Sequence, residues 1–325
     1  MVTPARKDGA YQVTAVDIGR EQWAELVATM RVGYTGAMYA VPEEVAAEGR
    51  AEWQLRHAST LGCTALQIPF RDLSSDPGSR RALGELAREL DVELEGNAPS
   101  LFSPLGMSPS ENRSQLKTEL VMTKQAGMTV VRSGYGRLNL ETSRYAKGKE
   151  AAKTQLEHIT SCLKEAVPVA ADVGMYVAIE NHCDFTGREV AQVLADVSSE
   201  WVGAAVDTAN GFTVYCDPND DVEALAPFAF TTHMKDMHME ASPMRGLIPL
   251  VPRGCRLGEG HVDLRRAVEL FARSSPHARG LHLIVEAGWE TFDPAGPGAV
   301  ELKRYLLEDG VRYLNTLVKE LGGKG

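Results

Sequence analysis

The chain has 325 residues, 44% hydrophobic and 24% charged, and a formal net charge of -10. This composition supports a full apolar core and excludes predominant disorder, while the negative balance argues against nucleic acid, which is held by clustered Lys and Arg. Five scattered cysteines (Cys63, Cys162, Cys183, Cys216, Cys255) contain no CxxC pair, which argues against a disulfide framework or a thiolate zinc site. No run has the character of a signal sequence or a membrane span, so a soluble cytoplasmic protein without membrane partners is expected.

In chain order, residues 1–29 read as an N-terminal extension, with AYQVTAV suited to a hairpin arm and EQWAELVATM to a short helix. Apolar, strand-like runs follow at 31–34, 64–68, 92–95, 129–132, 176–179, 202–206, 228–232 and 281–285. Helical patterns lie between most of them, at 43–61, 79–90, 110–126, 150–173, 187–197, 221–226 and 263–273, with a last helix at 299–321. In that last helix Leu302, Tyr305, Leu306, Tyr313, Leu314, Leu317 and Leu321 form an apolar stripe. Four junctions repeat one device, a glycine closing a helix just before a strand, at Gly62, Gly127, Gly174 and Gly280. Capping boxes open helices at 108–111 and 186–189. Eight strands alternating with helices make an α/β protein, a (β/α)8 or TIM barrel, forming one domain over 30–325 behind the extension. The Pro-, Gly- and Met-rich connection at 237–261 is expected to be a functional loop over the strand ends.

In such a barrel, reactive groups stand at the carboxyl ends of the strands. The C-terminal half supplies them repeatedly: VAI runs into Glu180, AAV into Asp207, FTT into His233 and LIV into Glu286. Three buried carboxylates at equivalent positions, joined there by an imidazole, would repel one another without a cation, whereas a metal ion would hold all four groups. Their hard, oxygen-dominated donor set suits one divalent ion, Mn2+ first, with Mg2+, Co2+ or Zn2+ also compatible.

The segments VAIENH, VDTANG, HMKD, LGEGHVDL and IVEAGWE together resemble the xylose isomerase-like barrel superfamily, in its sugar phosphate isomerase/epimerase branch. The resemblance implies metal ligation by the same four residues and a small sugar or sugar conjugate as substrate. Among the lyases of this superfamily, inosose dehydratases and large subunits of C-glycoside deglycosidases are similar. The deglycosidase version implies a hetero-oligomer with a smaller partner subunit. Asn210 stands where several epimerase relatives carry histidine, a departure from that pattern.

Around the quartet, His182 is either a general base or donor facing substrate, or a structural hydrogen-bonding group. Lys235 either stabilises a developing oxyanion or pairs with Asp236. Glu180 and Glu286 are also candidates to move the proton. Tyr34, Asn97, Arg132 and Asn210 are candidate substrate contacts. Arg256, Glu259 and His261 are candidates to close over a sugar, with loop stabilisation as the alternative for Glu259. His57, His158, His277 and His282 are expected to be structural or solvent-facing. Two reactions remain open: proton transfer beside a carbonyl, giving isomerisation or epimerisation, and elimination from an oxidised sugar.

Overall fold

The computed structural model describes residues 5–7, 10–12, 18–98, 109–134, 150–182, 184–244, 246, 250–291, 293 and 295–323. Strands β1 (Ala5–Lys7) and β2 (Ala10–Gln12) pair antiparallel, and helix α1 (Arg20–Val27) follows. β2 falls in the AYQVTAV segment and α1 overlaps EQWAELVATM, whereas β1 lies ahead of the segment that suggested the hairpin arm. Trp23 and Val27 of α1 are buried in the main core.

The barrel runs β3 (Arg31–Tyr34), α2 (Arg50–Thr60), β4 (Ala65–Pro69), α3 (Pro77–Glu89), β5 (Glu93–Ala98), α4 (Pro109–Gln125), β6 (Val130–Ser133) and α5 (Glu150–Val173). It continues through β7 (Tyr176–Glu180), α6 (Gly187–Val197), β8 (Val202–Asp207), α7 (Pro218–Leu225) and β9 (Ala229–Met234). A hairpin of β10 (Met237–Ala241) and β11 (Leu250–Gly254) precedes α8 (Leu264–Ser274), β12 (His282–Val285) and α9 (Ala299–Leu321). The eight parallel strands lie in the order β3-β12-β9-β8-β7-β6-β5-β4. The seam between β3 and β4 is drawn together by a parallel bridge, Thr35 to Gln67, and by the Gly36 N–H donating to the Gln67 carbonyl at 2.8 Å. Gly33 is required at this seam, since a Cβ there would fall 1.9 Å from the Ala65 carbonyl oxygen.

All four junction glycines adopt positive φ, between 70° and 79°. Asp91 (φ 52°) and Ser198 (φ 50°) fill the same role after α3 and α6, where the sequence has no glycine to advertise it. The Thr186–Glu189 capping box forms in both directions; Ser108, which opens the other one, lies outside the described residues.

Four expectations change. The helix read at 43–61 begins only at Arg50, after a 3-10 turn at Ala47–Gly49, because Gly49 weakens a helix interior. The helix read at 221–226 starts at Pro218, with the Asp217 carboxylate capping the Asn219 N–H. The connection at 237–261 is dominated by the β10–β11 hairpin rather than irregular loop. In α9, Leu302 and Tyr305 are exposed while Leu306, Leu314, Leu317 and Leu321 pack inward, so the buried stripe is narrower than the sequence implied.

Apolar strand residues such as Val32, Leu66, Leu94, Val177 and Val206 belong to one large core with residues of the surrounding helices. A second, small cluster contains Val130, Ala178, Ala205 and Phe230.

Candidate metal centre

Four strand ends build the site. Glu180 closes β7, Asp207 closes β8, His233 pairs in register with Asp207 from β9, and Glu286 is the first residue after β12. One ligand-competent atom from each lies within 4.8 Å of the others. Glu180, Asp207 and His233 are buried, and the Glu286 side chain is nearly so, at 10% exposure.

The surrounding chain holds each carboxylate in place. Asp207 Oδ1 accepts from the backbone N–H groups of Ala209 and Asn210, both at 2.8 Å, which turns the chain sharply after β8 and aims Oδ2 at the site. Asn181 brackets the Asp207 backbone, donating to its carbonyl at 2.9 Å and accepting from its N–H at 2.8 Å. The Thr208 hydroxyl does the same for Lys235, at 2.6 and 2.9 Å. After β12, the loop carrying Glu286 is stitched to the hairpin: the Gly254 N–H donates to the Trp289 carbonyl at 3.0 Å, and Arg253 donates to the Glu290 carbonyl at 3.1 Å.

Lys235 and Arg132 bring positive charge to the cluster, and the His233 ring lies against two of its carboxylates. Lys235 Nζ is 2.8 Å from Asp207 Oδ2 and 3.5 Å from Glu286 Oε1, Arg132 pairs with Glu180, and His233 Nδ1 is 2.6 Å from Glu286 and 3.2 Å from Glu180. Burial raises the Asp207 carboxyl more than Lys235 lowers it. Glu286 is also buried, but Lys235, His233 and Arg132 hold its carboxyl well below the usual range. Despite these neighbours, Glu180 Oε2, Asp207 Oδ2 and Glu286 Oε2 are buried with no hydrogen bond of acceptable geometry. Ion-pair distance without hydrogen-bond direction leaves these oxygens under-satisfied, which is the condition a multivalent cation relieves. The donor set, three carboxylates and one imidazole, therefore fits a divalent ion.

The other residues singled out in the sequence divide into two groups. Asn97 and Arg132 are register neighbours on β5 and β6, joined at 3.1 Å, and Arg132 reaches Glu180. Asn210 donates to Glu180 Oε1 at 3.3 Å and accepts from Lys235 Nζ at 3.1 Å, so all four join the quartet. His182 follows β7 with its side chain 28% exposed and Nδ1 3.7 Å from an Asp184 carboxylate oxygen.

Tyr34 is not brought to the quartet. It is wholly buried, its hydroxyl is 3.5 Å from the Gln54 carbonyl of α2, and its ring packs on Tyr39. Arg256 and Glu259 also lie apart, paired with each other at 2.6 Å, with Arg256 held by Asp309 at 2.9 Å and seated over the Tyr305 ring. The His261 ring accepts from the Met239 N–H of the hairpin at 3.2 Å. Lys235 and Asp236 do not pair. Lys235 enters the site, whereas Asp236 accepts from the backbone N–H groups of Met237, Gly258, Gly260 and Val262. Gly260 is obligatory in that clamp, because a Cβ there would sit 2.1 Å from Asp236 Oδ1.

Two residues missed by the strand-end rule stand directly beneath the quartet. Gln67 is 3.1 Å from His233 Nε2, and Glu95 accepts from Gln67 at 2.6 Å. Their signal was a polar residue within a strand, Gln67 in the otherwise apolar ALQIP and Glu95 in VELEG, where it alternates with apolar neighbours. His282 joins Glu95 at 2.8 Å and Glu93 at 3.1 Å, which makes it a structural histidine buried in the barrel.

No curated protein sequence matches the chain. Among solved structures, a xylose isomerase-like TIM barrel protein from Mycobacterium smegmatis in complex with magnesium superposes with a TM-score of 0.64 at 14% identity, covering 91% of this chain and 98% of that one. A D-psicose 3-epimerase crystallised in the presence of D-fructose gives 0.65 at 11% identity, covering 90% and 100%. An L-ribulose 3-epimerase gives 0.63 at 13% identity, covering 91% and 96%. These likenesses establish the fold. The model of the xylose isomerase-like TIM barrel family matches residues 55–309, which span β4 to β12 and all four residues of the quartet, and the chain belongs to that family.

Proposed function

We propose that this protein is a divalent-metal-dependent enzyme that moves a proton beside the carbonyl of a sugar or ketosugar, with isomerisation or epimerisation as the outcome. The observation that carries this reading is the convergence of Glu180, Asp207, His233 and Glu286 within 4.8 Å, with one under-satisfied oxygen on each carboxylate. A divalent ion held there, Mn2+ by preference, supplies a Lewis acid for negative charge developing on the substrate. Lys235 and Arg132 add fixed positive charge at the edge of the same cluster, preorganised for an oxyanion. Glu180 and Glu286 come from strands separated by β8 and β9, so they reach a substrate carbon from different sides. One carboxylate removes the proton and the other returns it on the opposite face.

Elimination from an oxidised sugar is the second reading, and the partly exposed His182 beside Asp184 favours it as a base distinct from the quartet. The deciding experiment supplies Mn2+ in D2O and follows ketoses, inososes and 3-keto glycosides by NMR. Deuterium entering beside the carbonyl without bond cleavage supports isomerisation, and release of water or aglycone supports elimination. Protein that binds Mn2+ yet promotes neither in any class overturns both readings.

A further inference from the structure

A line of buried polar side chains runs from the quartet through the barrel interior. His233 Nε2 lies 3.1 Å from Gln67 Oε1, and Gln67 Nε2 donates to Glu95 Oε1 at 2.6 Å. Glu95 Oε2 accepts from the Thr231 hydroxyl at 2.6 Å and from His282 Nδ1 at 2.8 Å. The far ring nitrogen, His282 Nε2, meets Glu93 at 3.1 Å, and Glu93 in turn meets Arg31 at 3.3 Å. Gln67, Glu95 and Thr231 are each 0% exposed.

None of these groups is within the quartet, and stability alone does not call for them, since a buried ion pair is often no better than apolar packing. Their hydrogen bonds do have a forced direction. A carboxylate without a proton only accepts, so the Gln67 amide must present its NH2 to Glu95 and its carbonyl oxygen to His233. A carbonyl oxygen also only accepts, so His233 Nε2 must carry the hydrogen. The other ring nitrogen, Nδ1, is the one turned toward Glu180 and Glu286.

We propose that Glu95, paired with His282, is a positioning residue that acts through Gln67 to keep the hydrogen of His233 on Nε2, so that Nδ1 offers its lone pair to a divalent cation. This rests on the reading of the quartet as a cation site. Replacing Glu95 with glutamine leaves one acceptor oxygen where there were two; with that oxygen turned to the Thr231 and His282 donors, its NH2 faces Gln67 and reverses the Gln67 amide. The Gln67 NH2 can then turn to His233, where it favours hydrogen on Nδ1, the tautomer unable to ligate. Gln67→Met deletes the same control while leaving the Glu95–His282 pair intact.

The test has two readouts. In metal-free protein carrying 15N-labelled histidine, wild type is expected to show a slowly exchanging Nε2–H resonance that disappears in His233→Asn and is absent in Glu95→Gln. By electron paramagnetic resonance of free Mn2+, Glu95→Gln and Gln67→Met are each expected to weaken Mn2+ binding about 10- to 100-fold. The double variant should lose no more than either single one, because both act through one hydrogen bond. Retention of the Nε2–H resonance in Glu95→Gln overturns the proposal, and so does Mn2+ binding by Gln67→Met within about twofold of wild type. If Glu95→Gln does not fold, Gln67→Met decides alone. Wild type that binds no Mn2+ but shows the expected resonance change would remove the cation reading and leave the control of the His233 tautomer standing.

Discussion

The buried pair formed by His282 and Glu95 makes a quantitative statement about stability and pH. Burial works against the His282 imidazolium, but hydrogen bonds to Glu93 and Glu95 outweigh it and raise the group from 6.5 to about 9. A folded-state value above the unfolded one means that folding takes up a proton. The contribution is complete below pH 6.5 and is lost as pH rises through about 9. The span corresponds to about 3 kcal/mol, at about 1.4 kcal/mol per pH unit. His282→Gln by itself is a poor reference, because it leaves Glu95 buried without its cation and costs about 3–5 kcal/mol. The double variant Glu95→Gln/His282→Gln replaces both charges with neutral amides and supplies a reference without the pair. Urea unfolding of the metal-free protein from about pH 6 to about pH 10 should therefore show wild type losing about 3 kcal/mol relative to the double variant. A separation that stays constant across that range would refute the assignment of His282 as the buried cation.

Four further outcomes are expected. Gly33→Ala places a methyl group against the backbone of β4 at the barrel seam and should cost about 3 kcal/mol or more, measured by denaturant unfolding. Asp236→Ala frees the four backbone N–H groups it clamps, which should destabilise the protein by about 3 kcal/mol and expose the chain after Arg256 to trypsin. Arg256→Ala and Glu259→Ala should leave kcat/KM within about twofold of wild type, because this exposed pair stands apart from the quartet; a larger loss would return them to the substrate contacts. Chelating the divalent ion from protein saturated at about 100 times its Kd should lower Tm by roughly 5 °C in calorimetry, and Asp207→Asn should abolish that difference.

The alternation of strands and helices was legible because each signal is local. Glycines at 62, 127, 174 and 280 mark helix ends through their own backbone freedom, and the 299–321 stripe marks its helix by spacing alone. The quartet was legible for a related reason: in a parallel barrel, the residue ending each strand faces the mouth, so sequence position substitutes for spatial position. Tyr34, Arg256 and Glu259 mark where that substitution stops. Tyr34 ends β3 but turns into the layer between strand and helix, and the other two are occupied by each other and by Asp309, 50 residues or more away.

The sequence by itself determined the order of the elements, the family and the four acidic and imidazole groups at the strand ends, all of which follow from residue type and short spacing. Only the tertiary structure decided what those groups touch. Lys235 neutralises Asp207 and Glu286 while its neighbour Asp236 fastens a loop, and Gln67, Glu95 and His282, far apart along the chain, meet in one hydrogen-bonded line beneath His233. Side-chain partnership across a closed barrel depends on strand register and on the inward or outward sense of each residue. Those are set when the eight strands pair, and no local pattern in the chain records them.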